Sequence, residues 1–119
     1  MPPPCTILFV EDDTAVRQST AALLASSGFC LLVATDGYEA MRLAAQNHVD
    51  VLFTDIVMFG MSGIELAKQA KLLQPDLKIM FMTGYCSRAA EAAQLGRLLF
   101  KPLRVAQIES ELGNLLAAA

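Results

Sequence analysis

Acidic, hydroxyl and basic side chains recur in this chain at the downstream ends of short apolar runs. Glu11, Asp12 and Asp13 follow "TILFV", Asp55 follows "VLFT", Thr83 follows "KIMFM" and Lys101 follows "RLLF". A buried run that ends on a charge needs a reason, because an unpaired carboxylate is costly to hold beside an apolar core. Carboxylates brought close together repel one another unless a cation neutralises them. Oxygen donors with little nitrogen or sulfur nearby favour a hard ion, Mg2+ above all, which keeps several of its waters. Opposite such a cation, Lys101 and Thr83 supply a point charge and a hydroxyl, which suit a bound phosphoryl group. Taken singly, each residue has a plainer reading. Asp12 or Asp13 before Thr14 can cap a helix, Asp55 can start an Asx-turn, and Lys101-Pro102 can end a strand. All of them in order at one edge of one sheet are hard to explain by capping.

The elements that must position these residues are five apolar runs, at 6–10, 30–34, 51–54, 78–82 and 97–100. Their apolar residues are nearly continuous rather than alternating, as expected for parallel strands covered on both faces. Helical patterns lie between them. Val16, Thr20, Leu23 and Leu24 form one stripe with Gly28 as its stop, residues 37–46 and 62–73 form the second and third helices, and Pro75 closes the third. A short fourth helix falls within 88–94, and Val105, Ile108, Leu112, Leu115 and Leu116 mark the fifth. Strict alternation of strand and helix predicts an α/β three-layer sandwich with right-handed crossovers. Its ligand crevice lies at the carboxyl ends of the strands, where strand order reverses. If the first and third strands are neighbours, Glu11 and Asp12 face Asp55.

Bulk composition narrows the function classes. The chain has 119 residues, 55% of them hydrophobic, which suits a single domain over 1–119 with residues 1–5 as an extended stub. A net charge of -3 leaves no basic stripe for nucleic acid. Cys5, Cys30 and Cys86 have no metal or redox spacing and suit reduced thiols in a cytoplasmic protein. His48, the single histidine, reads as a solvated helix end. No apolar run approaches the roughly 18 residues of a membrane span, and no glycine-rich nucleotide loop is present.

With these residues in place, the chain resembles the receiver domain of bacterial two-component response regulators over nearly its whole length. The resemblance rests on "ILFVEDD", "LFTDIVM" followed by "GMSGIEL", "IMFMTGY" and "FKPL", in that order. It implies a flavodoxin-like (βα)5 fold with a parallel sheet in the order 2-1-3-4-5. It further implies that Asp55 accepts a phosphoryl group from a histidine kinase or a histidine phosphotransfer protein. Asp12, Asp55 and the backbone carbonyl of Val57 would hold Mg2+, with Glu11 acting directly or through water. Thr83 would hydrogen-bond a phosphoryl oxygen and Lys101 would pair with it. Such a module promotes only its own phosphorylation and dephosphorylation and signals by protein contact, to a downstream protein or a second copy, with no output domain.

Two departures from the family pattern, and several further positions, carry expectations. Phe59 stands where proline is usual, which should leave the loop after Asp55 less constrained. Leu98 replaces the aromatic residue that many receivers swing inward. Val57 and Tyr85 flank the expected path of a hydrolytic water, and an aliphatic side chain cannot orient it, so dephosphorylation should be slow. Ala15, Gln18, Ser19 and Ala22 form a small-residue face suited to a donor helix, while Leu98 and Leu103 form a candidate apolar rim and Leu99 or Phe100 belongs to the core. Two other readings compete: a Mg2+-dependent phosphohydrolase with an aspartate nucleophile, and a receiver that acts without phosphorylation. A hydrolase would want a cap over its substrate, and the chain has no residues to spare for one.

Overall fold

In the computed structural model, which describes residues 5–84 and 88–117, strand and helix alternate throughout. The elements are β1 (Thr6–Val10), α1 (Thr14–Ser26), β2 (Cys30–Ala34), α2 (Gly37–Gln46), β3 (Val51–Asp55), α3 (Gly63–Leu73), β4 (Lys78–Thr83), α4 (Ala89–Leu95), β5 (Arg97–Phe100) and α5 (Val105–Ala117). All five strands are parallel, in the order β2-β1-β3-β4-β5. β3 and β4 each run one residue further than the apolar pattern alone indicates, so Asp55 and Thr83 are the last residues of their strands.

Because successive side chains on a strand point to opposite faces, the sheet divides the core in two. Leu8, Val10, Leu52, Ile79 and Phe81 pack on one face with residues of α2, α3 and α4, such as Ala40, Leu66 and Ala92. Ile7, Phe9, Val51, Phe53, Met80 and Met82 pack on the other with Leu24 of α1 and Ile108 and Leu112 of α5. Phe9 and Phe53 meet across β1 and β3 with ring centroids 5.5 Å apart, a tilted contact that adds about 0.5–1.5 kcal/mol to the burial itself.

Burial follows position in the sheet. All five residues of central β3 are buried, whereas the edge strands β2 and β5 expose Cys30, Val33, Arg97 and Phe100. The expectation of full cover on both faces therefore holds for the centre and not for the edges. Leu23 in α1 and Leu116 in α5 are partly exposed, because their stripes are wider than the surface they pack against. Local chemistry sets the helix starts. Asp13, Asp36 and Ser62 accept hydrogen bonds from the amides of Val16, Glu39 and Glu65, satisfying orphan donors at the first turns of α1, α2 and α3. α4 has no such side-chain cap and is only seven residues long, consistent with its faint sequence signal. Residues 1–4 and Tyr85 lie outside the described residues. No helix among the described residues is long and apolar enough to cross a membrane.

Candidate functional site

Parallel register brings the strand ends to one edge. Val10 pairs with Thr54, Asp55 with Met82 and Thr83 with Phe100, so Glu11, Asp55, Thr83 and Lys101 converge from four neighbouring strands. The backbone ties the edge together: the Ile56 amide donates to the Met82 carbonyl at 3.2 Å, and that of Lys101 to the Thr83 carbonyl at 2.8 Å.

Lys101 is the hub. Its Nζ lies 2.8 Å from Glu11 Oε1 and 2.8 Å from Asp55 Oδ2. Glu11 is 1% exposed and Asp55 7%, so each carboxylate depends on that ammonium for neutralisation. Burial pushes the Glu11 carboxyl above the usual range; the bonds from Lys101 and the Asp13 amide pull it back, the charge of Asp55 raises it, and the net direction is upward. Burial works against the Lys101 charge, but the hydrogen bonds to Asp55 and Glu11 outweigh it, and the ammonium is held more firmly protonated than a free lysine. Lys101 reaches the carboxylates directly, rather than standing apart from them across a cation as the sequence suggests.

The three consecutive acids divide the work. Asp13 faces away and caps α1, with Oδ1 accepting from the Val16 amide at 2.9 Å. That leaves Asp12 free of the helix. Its Oδ2 accepts from the Phe59 amide at 3.1 Å, while Asp55 Oδ1 accepts from the Val57 amide at 3.2 Å in an Asx-turn. The plainer readings of Asp13 and Asp55 are thus correct, and for Asp55 the turn coexists with the cluster. One oxygen from each of Glu11, Asp12 and Asp55 lies within 4.8 Å of the others. Three hard oxygen donors at that separation suit a divalent cation that retains water.

Thr83 adds an independent observation at the same edge. It is 1% exposed, and its Oγ1 is a buried side-chain oxygen without a hydrogen-bond partner. Leaving such a hydroxyl unsatisfied costs roughly 1–3 kcal/mol, a penalty that an acceptor oxygen placed over the edge would remove. Carboxylates able to hold a cation thus share this edge with an ammonium and an unpartnered hydroxyl.

Two features correct or extend the sequence reading. The Phe59 amide donates to Asp12 Oδ2, a bond that proline has no N–H to make. Arg17 escaped notice altogether. One turn into α1, its Nη1 donates to the carbonyls of Glu11 at 3.0 Å and Asp12 at 3.4 Å, bracing the acidic turn; its position four residues after the Asp13 cap was the available signal. At the loop's far end, a Cβ on Gly63 would collide with the carbonyl of Asp55, so only glycine lets α3 start this close to β3.

The surrounding surfaces sort differently from expectation. Ala15, Gln18, Ser19 and Ala22 are all exposed, as a docking face requires. Leu98 and Leu103 are half-buried against opposite core clusters instead of forming one rim. Of the neighbouring pair, Leu99 is core and Phe100 is 57% exposed, so Phe100 is the apolar residue that this edge presents. His48 is exposed, with Nε2 3.1 Å from Asp50 Oδ1.

Comparison with known proteins places this geometry. The family model for the response regulator receiver domain matches residues 7–112. Response regulator receiver protein CpdR of Brucella abortus (strain 2308) is 35% identical over 117 residues, covering 95% of this chain and 98% of that protein. Response regulator MprA of Mycobacterium sp. (strain KMS) is 36% identical over 92 residues, and the match covers 77% of this chain and 40% of MprA. Among solved structures, the receiver domain from hybrid histidine kinase CckA superimposes with a TM-score of 0.81 at 34% identity, covering 93% of this chain and 98% of that one.

Proposed function

The chain belongs to the response regulator receiver domain family of two-component systems, and we propose on that basis that Asp55 is its phosphoacceptor. Receivers are signalling modules that meet kinases or phosphotransfer proteins, not classical enzymes. The roles of individual residues, the identity of the cation as Mg2+ and the reading of the chain as one receiver unit acting by protein contact belong to this proposal.

In the transfer, an Asp55 carboxylate oxygen attacks phosphorus in line as the phosphorus–nitrogen bond of a phosphohistidine donor breaks, its electron pair leaving with the imidazole. Aspartate is a weak nucleophile, so positioning and charge neutralisation must lower the barrier. Asp12, Asp55 and the Val57 carbonyl, with Glu11 directly or through water, are the groups to hold Mg2+. When bound, the ion offsets negative charge on the phosphoryl oxygens. Lys101 exchanges part of its contact with Asp55 for a phosphoryl oxygen, and Glu11 keeps the ammonium in place meanwhile. The Thr83 hydroxyl donates to another oxygen. The small-residue face of α1 admits the donor helix.

The observation that carries this reading is the buried, unpartnered Thr83 hydroxyl beside the Asp55–Lys101 pair. Capping explains Asp13 and an Asx-turn explains part of Asp55, but neither explains an idle hydroxyl at the same edge. The test is intact mass spectrometry after incubation with Mg2+ and acetyl phosphate. Wild type gains one phosphoryl mass and Asp55→Asn gains none; an equal gain in the variant overturns the assignment.

A further inference from the structure

A second recess opens beside the carboxylate cluster, between the start of α2 and the loop that follows β3. It is a cavity of about 440 Å3 lined by Asp12, Thr35, Asp36, Tyr38, Phe59 and Gly60. Two of the lining residues are aromatic and conspicuously uncovered, Tyr38 at 65% and Phe59 at 91% exposure. Two are carboxylates, and no basic side chain lines it. Lys101, the cation of the adjoining cluster, is engaged by Glu11 and Asp55.

The walls are set by backbone rather than by chance exposure. The Phe59 amide is bonded to Asp12, which fixes the base of the phenyl side chain. Gly60 follows with φ +81, a left-handed conformation that turns the loop sharply, and a Cβ there would stand 3.3 Å from Tyr38 Cε2. Asp36 is held as the cap of α2 through the Glu39 amide. Aromatic faces with carboxylates at their edge attract a cation from both sides, by the ring quadrupole and by charge. A flat, delocalised guanidinium that stacks on rings and pairs with carboxylates fits better than a compact, strongly hydrated ammonium.

We propose that the recess formed by Asp36, Tyr38 and Phe59, beside the cation-binding Asp12, is a docking socket for an arginine side chain of the phosphodonor protein. This rests on the receiver reading for the identity of the partner, while the socket itself stands on its own geometry. Asp12 belongs both to the carboxylate cluster around Asp55 and to the lining of the recess, so a protein docked over Asp55 has the socket beside it.

The test is a titration of the 15N-labelled chain, in saturating Mg2+, with Nα-acetyl-arginine amide and with its neutral isostere Nα-acetyl-citrulline amide. Arginine amide is expected to shift the backbone resonances of Thr35, Tyr38, Phe59 and Gly60, and citrulline amide to leave them in place. Tyr38→Ala and Phe59→Leu each weaken arginine amide roughly two- to fivefold, the worth of an exposed cation–π contact. Asp36→Asn, which retains the helix cap, weakens it as well. Equal shifts from citrulline amide, wild-type affinity in both ring variants, or shifts confined to Glu11, Asp12 and Asp55 overturn the socket. The acetyl phosphate assay separates the two readings. A chain that binds arginine amide but gains no phosphoryl mass loses the phosphoacceptor assignment alone, and one that is phosphorylated without binding arginine amide loses the socket alone.

Discussion

Lys101→Met removes the cation from between two buried carboxylates, and its effect follows from the geometry. Both Nζ contacts, to Glu11 and Asp55, are 2.8 Å long. Breaking a buried ion pair from one side costs about 3–5 kcal/mol, because the other charge stays buried and unpaired. The Lys101 side chain is 25% exposed, so solvent screens part of that, and the expected loss at pH 7.5 is roughly 2–3 kcal/mol. For a domain of 119 residues this lowers Tm by about 8–12 °C. The pH dependence gives the stricter test. In wild type, burial already raises the Glu11 carboxyl and Lys101 opposes that rise; without Lys101 the folded-state value climbs further above the unfolded one. A carboxyl raised on folding favours the folded state while protonated, and that advantage fades as pH rises through the folded value. The penalty in the variant should therefore shrink as pH is lowered from 7.5 toward 4.5. Mg2+ should likewise raise the Tm of the variant more than that of wild type, by neutralising the same two carboxylates. Thermal denaturation of both proteins at the two pH values, with and without Mg2+, decides the matter. An unchanged penalty at pH 4.5, or a variant as stable as wild type at pH 7.5, would refute the view that Lys101 neutralises this pair.

Other consequences are open to direct measurement. Gly63→Ala places a methyl group against the Asp55 carbonyl, and denaturation should show Tm lowered by about 10 °C or more; a smaller shift means that the loop yields. Val57 is exposed beside Asp55, and Val57→Asn supplies a group able to orient water, so the phosphoprotein followed by mass spectrometry should lose its phosphoryl group faster; an unchanged half-life assigns the water another route. Cys5 is pushed up to about 11 by burial, then by the charges of Asp50 and Cys30, whereas Cys30 is exposed. Iodoacetamide at pH 8 should label Cys30 well before Cys5, with Cys5 labelling still rising toward pH 11, and peptide mapping that finds equal rates contradicts that environment.

What the sequence by itself determined is the part of the molecule governed by short-range chemistry. Continuous apolar runs specify buried parallel strands, and helical stripes punctuated by Gly28 and Pro75 specify what lies between them. Alternation then sends every strand end to one edge, so Glu11, Asp12, Asp55, Thr83 and Lys101 are legible in the sequence as one site, and the resemblance supplies the strand order. Edge positions were less legible, because a strand's own residues do not record whether a neighbour covers it; Phe100 and Leu23 look like core in sequence and face solvent in the fold. Only the tertiary structure decided how the acids divide their labour. Whether Asp12 or Asp13 caps the helix depends on the angle at which α1 leaves the sheet, and that angle sends Asp13 to the Val16 amide and Asp12 to the Phe59 amide. The same holds for Lys101 between two carboxylates 90 and 46 residues away in the chain, and for the hydroxyl of Thr83 left without a partner. Contacts over such separations are products of packing: they exist only once the sheet has closed, and no local pattern of residues encodes them.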